Sequence, residues 1–478
     1  MHSSKNPDYL ANIVTNAILF LGIKCYSYDC KSGAWTMKKL SSPLEVTSLR
    51  ELFYDDYLIS ERHNLEFRIH SPVEQTASSG KPCGHYGAIV KTNDKYLYYC
   101  RGFDGVYNGI RSNANPGEYL AVSESSDGIN WVAPDFKKFP DQPVPVNAIF
   151  YGNGFTHNFA PFFDNNPNTP ESERFKAVSG VRETQGLFAF YSADGINWQH
   201  YDAQQPVISY SPEKYGGHML DSQNVVFYSE YEKCYVMYLR VWKTADGITG
   251  LRTFAKSVSQ DFRNWSEPEL LHVNFPDEHL YVSTLAPYPR APQYYIGMPT
   301  RYFGKRGSAT DVTLIFSRHG QSIQRPLDEA WIKPGLNPAR WQNRSNYMAW
   351  QIIEHTPEEL IFYHGPENIM YKLRTDGFAS IHAGTQSGSL LTKVLNRQHG
   401  ELEVNLSTSA GGGMSLAVCD PSGKAIPGYT FEDFGEFYGD KIALVPQWNG
   451  KRFSALPPGP FRLHMQLKEC DIYSIAFK

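Results

Sequence analysis

The sequence predicts an all-β protein: a five-bladed β-propeller followed by a C-terminal β-sandwich. The first observation behind this is a phrase on a fixed beat. Ser125-Ser-Asp127-Gly-Ile-Asn-Trp131 returns as Ser192-Ala-Asp194-Gly-Ile-Asn-Trp198 and as Ser259-Gln-Asp261-Phe-Arg-Asn-Trp265, a step of 67 residues each time. Weaker echoes follow at Ser317-Arg-His319-Gly and Thr375-Asp376-Gly377-Phe378. A fixed period of this length marks a repeat architecture. Asp-Gly suits a tight turn, because both residues tolerate positive φ and the Asp side chain can bond its own backbone. Each copy follows a short apolar run, so the phrase reads as a strand-turn-strand marker whose Trp packs on the neighbouring repeat. The second observation is composition. Aromatics make up 14% of the 478 residues, alongside 38 Gly and 31 Pro, which fits short strands and many turns. The third is the stretch after about residue 376, where strand-like alternation appears and no helical period is visible.

The repeats divide into strands in order. The first unit takes 86–91, 95–101 and 118–123; the second 158–163, 174–179 and 187–191; the third 222–228, 234–240 and 252–257. The fourth takes 279–286, 294–299 and 311–316, and the fifth 346–353, 359–363 and 369–373. Each unit has room for an outer strand. A ring of this kind is commonly closed by an N-terminal strand, which removes a bare edge; 51–60 and 64–70 are the candidates. After about residue 376 Gly and Ser punctuation increases and alternation appears in 401–406 and 415–418, with further strands at 442–446, 461–467 and 472–477. The expected organisation is an extension over 1–50, a propeller over 51–375 and a sandwich over 376–478, the last a usual domain size.

A net charge of −4 gives no reason to expect nucleic acid or a membrane surface as partner. The seven cysteines are scattered and odd in number, so neither a disulfide framework nor a zinc pattern is legible, although Cys25 and Cys30 could pair. The apolar run 10–23 holds Asn12, Thr15 and Asn16 and is short for a membrane span. It lacks a basic start and a small-residue cleavage site, so it is not assigned as a signal peptide. The compartment stays open: periplasmic or secreted if a signal has been removed, otherwise cytoplasmic. Homo-oligomerisation is also left open. No motif for a cofactor or a metal is visible, nor a phosphate loop, a nucleophile elbow or a zinc-protease pattern.

In a propeller the inner strands line one channel, and residues at their beginnings meet at one mouth. Those residues are His85-Tyr86, His157-Asn158, Asp221-Ser-Gln-Asn224, Glu278-His279 and Asn346-Tyr347. Polar groups converging in this way are the default signal of an active site. Five units, the turn marker, an acid opening the third unit, a Glu opening the fourth and a C-terminal β domain together resemble the furanosidase-type glycoside hydrolases of families 32, 43 and 68. The phrases LFYDDYLI, HNFAPFFDNNPNTPESERFKA, DSQNVVFY and EHLYVSTLAPYPRAPQYYIGMPTRY also resemble a bacterial family-32-like group over most of the chain.

The resemblance implies a carbohydrate substrate, with Asp221 steadying the transition state and Glu278 as general acid. Cleaving a glycosidic bond needs one carboxyl protonated and one ionised beside an oxocarbenium-like centre. Those families place an Asp at the opening of the first blade, where this chain has Cys83-Gly-His85-Tyr86. Asp104, or a histidine such as His157, is the substitute considered. Asn158, Asn224 and Asn346 could bond sugar hydroxyls, with His85, Tyr86, His279 and Asp311 beside them. Arg101, Arg301 and Arg344 could read an anionic sugar, as could Arg240. The alternatives to a hydrolase are a carbohydrate-binding propeller without catalysis and a glycoside phosphorylase.

Overall fold

A computed structural model describes residues 43–46 and 50–478 apart from Ser79, Cys83, Arg111 and Pro326, together with the strand backbones of Ile18–Leu21, Lys24–Asp29 and Ala34–Lys38. Those three strands form their own antiparallel sheet. The proposed pairing of Cys25 with Cys30 and the run 10–23 lie largely outside the described residues. The chain is all-β, and the two α-helices among the described residues, Pro212–Tyr215 and Phe431–Phe434, have four residues each.

The repeats fold as antiparallel meanders. The first sheet runs His85–Lys91, Tyr96–Phe103, Glu118–Ser125 and Ala148–Tyr151 from one edge to the other. The second opens on Ala160–Phe163 and the third on Val225–Ser229, each with its successors in sequence order. In the fourth unit, breaks at Val282–Leu285, Met298-Pro299 and Thr313-Leu314 divide the meander into two three-stranded sheets. The expected inner strand 346–353 of the fifth unit is mostly outside a ladder. Only Ile353–Glu354 pairs as a strand, while Trp350 and Met348 make single bridges to Ala88 and His364.

The recurring turn is the same device three times. Asp127 accepts from the backbone of Ile129 and Asn130 at 2.8 Å each and from the Asn130 amide at 2.7 Å, while Ser125 Oγ donates to it at 2.9 Å. Asp194 and Asp261 repeat the pattern. Partial burial alone would raise the Asp261 carboxyl, but these donors hold it down at about 2. Each turn docks on another unit: Tyr363 donates to the Gly128 carbonyl at 2.7 Å, Tyr99 to Gly195 at 2.9 Å, and Phe262 packs on Phe162. The first turn thus rests on the fifth unit, the second on the first and the third on the second.

The N-terminal strands depart from expectation. Val73–Thr76, not 51–60 or 64–70, joins the fifth unit as its outermost strand. Arg50–Leu52, Ile59–His63 and Glu66–Ile69 instead pair with 474–476, 389–392 and 379–382. They complete the C-terminal sheet, whose spine is two long strands, Leu402–Cys419 and Gly459–Phe477. The reason is burial. Phe53, Leu58, Ile59 and Leu65 share a core with Leu406, Leu416 and Ile472, and a single slipped register would turn them to solvent. Cys100, Cys234, Cys419 and Cys470 are buried.

This junction carries a pH-sensitive acid. Glu51 is 1% exposed, accepts a short hydrogen bond from Tyr294 and lies 3.7 Å from Arg318. Burial outweighs both partners and pushes its carboxyl up to about 7 from 4.5. The folded protein therefore holds a proton there that the unfolded chain releases near pH 4.5. The stability this confers is full below that pH and is lost as pH rises to about 7, a change of about 3 kcal/mol. Urea unfolding should show wild type losing more stability than Glu51→Gln between pH 5 and pH 8; parallel pH profiles would remove this role.

Candidate active site

The starts of the inner strands do converge. Tyr86, Tyr281 and Tyr347 form an aromatic wall: Tyr86 stacks on Tyr347 with ring centroids 6.1 Å apart, and Tyr281 lies 5.6 Å from Tyr347. Arg101 covers Tyr86 at 4.8 Å, and Arg240 and Arg252 cover Tyr281 at 5.2 and 4.5 Å. Strand alternation explains the wall. His279 and Tyr281 pair with Tyr302 and Thr300, so their side chains share one face, while Glu278 and Leu280 take the other.

Asp221 is the carboxylate at this mouth. Its side chain is 28% exposed, Asn113 donates to Oδ1 at 3.0 Å, and the Arg240 guanidinium donates to its backbone carbonyl at 2.6 Å. Behind it sits a buried pair. His157 Nδ1 lies 2.9 Å from Glu118 and 2.6 Å from Arg101, and Nε2 is 3.9 Å from Asp221. The same Arg101 nitrogen lies 3.1 Å from Nε2, nearer than Asp221. Burial, reinforced by Arg101, lowers the His157 pKa against the pull of Glu118 and Asp221, so the ring is neutral at neutral pH. Burial and Arg101 likewise drop His85 to about 4, and burial with Arg252 drops His279 to about 4. Burial, then Asp221, pushes the Tyr86 hydroxyl up to about 12.

The backbone here is strained. Tyr86, Leu220, Val282, Thr284 and Arg344 have φ of 56°, 67°, 44°, 47° and 65°. Left-handed backbone is costly for β-branched residues such as Val282 and Thr284, and such strain clusters at functional sites. A cavity of about 400 Å³ lies at the opposite ends of the same strands, lined mainly by apolar and aromatic groups such as Ile89, Phe162, Phe227 and Ile352. Titratable groups and strained residues gather instead at the mouth.

The remaining expected residues fall into three placements. Tyr86, Arg101, His85 and His279 line the mouth, with exposed Arg344 electrostatically coupled to His85 and Tyr347. The buried amides staple loops. Asn158 donates to the carbonyls of Gly180, Leu220 and Ser222, Asn224 accepts from Arg240 N, and Asn346 donates to the carbonyls of Thr310 and Arg340. The acids outside the mouth are engaged elsewhere. Asp104 accepts from Val106 N, Tyr107 N and the Tyr151 hydroxyl, capping its own turn. Asp311 grips Arg301 through two bonds of 2.7 and 2.8 Å, beside a surface groove that also holds Lys333 and Trp341.

Glu278 departs most from the expected acid. It lies on the face away from the tyrosine wall, 2% exposed. Arg325 engages both of its oxygens, and Phe275 N donates to Oε1 at 2.8 Å. Glu118, Asn113 and Arg252 were not foreseen. Glu118 and Arg252 sit on the third strands of their meanders. Among the described residues no group of three or more His, Cys, Asp or Glu could hold a metal ion, and no helix is long and apolar enough to cross a membrane.

No family model matches the sequence, and no curated protein matches it. Solved structures do. A thermostable family-43 glycoside hydrolase is 14% identical, covering 64% of this chain and 96% of its own, with a TM-score of 0.37. A β-1,2-mannobiose phosphorylase from Listeria innocua is 10% identical, covering 63% of this chain and 90% of its own, at 0.43. An exo-β-1,3-galactanase from Phanerochaete chrysosporium is 9% identical, covering 85% of this chain and all of its own, at 0.36. No residue role in this chain rests on them.

Proposed function

We propose that this chain cleaves glycosidic bonds in an oligo- or polysaccharide at the mouth formed by Asp221, His157 and the tyrosine wall. In this reading 73–375 form a five-bladed propeller, and 379–477 form a C-terminal sandwich that takes strands from 44–69. The series of turn contacts supports the blade count, since the first turn rests on the fifth unit. The observation that carries the activity is a partly open carboxylate, Asp221, set 3.9 Å from a neutral imidazole that Glu118 backs. Glycoside cleavage needs a carboxylate beside the oxocarbenium-like centre and a group that moves a proton. Asp221 supplies the first and His157 the second. His85, Tyr86, Arg101, His279 and Arg344 bound the sugar.

The test is turnover of a panel of oligosaccharides followed by product chromatography, with and without inorganic phosphate. Release of free sugar that depends on Asp221 supports hydrolysis. Turnover that requires phosphate and yields a sugar phosphate moves the assignment to phosphorolysis, a second reading that the arginines favour. Ligand binding with no product over long incubation replaces both with a binding module.

A further inference from the structure

We propose that the mouth recognises an anionic group carried by the sugar itself, a carboxylate or a sulfate ester, and that Arg240 and Arg252 read it. This rests on the assignment of the mouth as a carbohydrate site. Arg240 is 1% exposed, yet among the described residues its Nε and Nη2 have no partner. Its Nη1 is committed to the Asp221 carbonyl at 2.6 Å, and its own backbone N–H to Asn224 at 2.9 Å. The guanidinium is thus held in place while one entire edge is left over. That Nε–Nη2 edge carries two parallel N–H groups, the geometry that grips two oxygens of a carboxylate or sulfate at once.

Arg252 stands beside it. Both guanidiniums lie over the Trp242 ring, at 5.2 and 4.4 Å, and over Tyr281. Arg252 Nη1 lies 3.2 Å from His279 Nδ1, and its Nε is buried with no partner among the described residues. Among the described residues neither arginine has a salt-bridged carboxylate, whereas Arg301, Arg318, Arg325 and Arg340 each do. Two adjacent cations in a largely buried wall repel each other and are poorly solvated; an anionic ligand relieves both costs. Burial, together with Arg240, lowers the Arg252 pKa, and His279 is depressed by burial and the same pair. The excess positive charge is therefore local to this wall. Arg301, by contrast, is consumed by Asp311 and takes no part.

Titration calorimetry tests this without requiring turnover. The ligands are glucuronate and galacturonate oligosaccharides and galactose 6-sulfate, each against its neutral counterpart. The expected result is at least tenfold tighter binding of a charged ligand. Arg240→Gln should erase that preference, weakening the charged ligand at least tenfold more than its neutral counterpart. Because Arg240 is buried, Arg252→Gln is the second variant; it should weaken the charged ligand at least tenfold more than its neutral counterpart, with far-UV circular dichroism unaltered. Equal binding of charged and neutral sugars, or a preference that survives both substitutions, overturns the proposal. So does a phosphate requirement with no preference among sugars, which would make the oxyanion a free one. Charged sugars that bind tightly but are not cleaved would sink the cleavage assignment and leave this one standing. Cleavage of neutral sugars with no charge preference does the reverse.

Discussion

Asp221→Asn lowers kcat on any cleaved glycoside at least a hundredfold and leaves the unfolding temperature within a few degrees of wild type. The magnitude follows from what the carboxylate does. Removing one group that stabilises charge developing in the transition state costs roughly a hundred- to a thousandfold, and Asn keeps the shape while losing the charge. The neutral effect on folding follows from its surroundings. Among the described residues the Asp221 side chain accepts one hydrogen bond, from Asn113, and its structural contact with Arg240 runs through the backbone carbonyl, which the substitution keeps. His157→Gln is the companion. It removes the imidazole 3.9 Å from Asp221 and should alter the pH profile of kcat as well as its size. An Asp221→Asn enzyme with less than a tenfold loss would end the catalytic assignment. Parallel losses of activity and stability would mark Asp221 as structural.

Much of the body was legible because its signals are local. The Ser-x-Asp-x-x-Asn-Trp turn needs only its own side chains, as the bonds from Ile129, Asn130 and Ser125 to Asp127 show. Its position therefore marked most strands of the repeats to within two or three residues. What depended on distant pairing was not legible. The segment 50–69 reads as plain strand, and nothing within it says that its partners lie more than 300 residues later. Strand 459–477 was read as two strands because the Lys-Glu-Cys stretch at 468–470 interrupts its apolar run, yet pairing with 402–419 continues across it through bulges. The site divides in the same way. Asp221 and His157 could be found by asking which residues open an inner strand. The fate of Glu278 could not, because Arg325 comes from another part of the fourth unit. Arg240 and Arg252 lie on the second and third strands of the third sheet; Arg240 was legible from its place on a second strand, whereas a search of strand openings passes over Arg252.

Glu278→Gln destabilises the protein by about 3–5 kcal/mol and leaves kcat/KM within about threefold of wild type. The two parts of this expectation have one cause. The side chains of Glu278 and Arg325 are each 3% exposed, and Phe275 N also depends on the carboxylate. Removing one member of a buried ion pair strands the other charge in a poorly solvating interior, which typically costs that amount. Arg325 is further anchored by the Val273 carbonyl at 3.0 Å, so it cannot swing out to water without breaking the loop that precedes Glu278. Activity is spared because strand alternation points Glu278 away from the face that carries His279 and Tyr281. A double-mutant cycle sharpens the reading. Glu278→Leu combined with Arg325→Met removes both charges, and the pair should lose less stability than either single change, since no uncompensated ion remains. Urea denaturation reads the stability arm, and initial rates on the best glycoside read the other. If Glu278→Gln instead abolishes turnover at unchanged stability, Glu278 leaves Arg325 during the reaction and serves as the general acid, and the mouth described around Asp221 must then open toward the fourth unit when substrate binds.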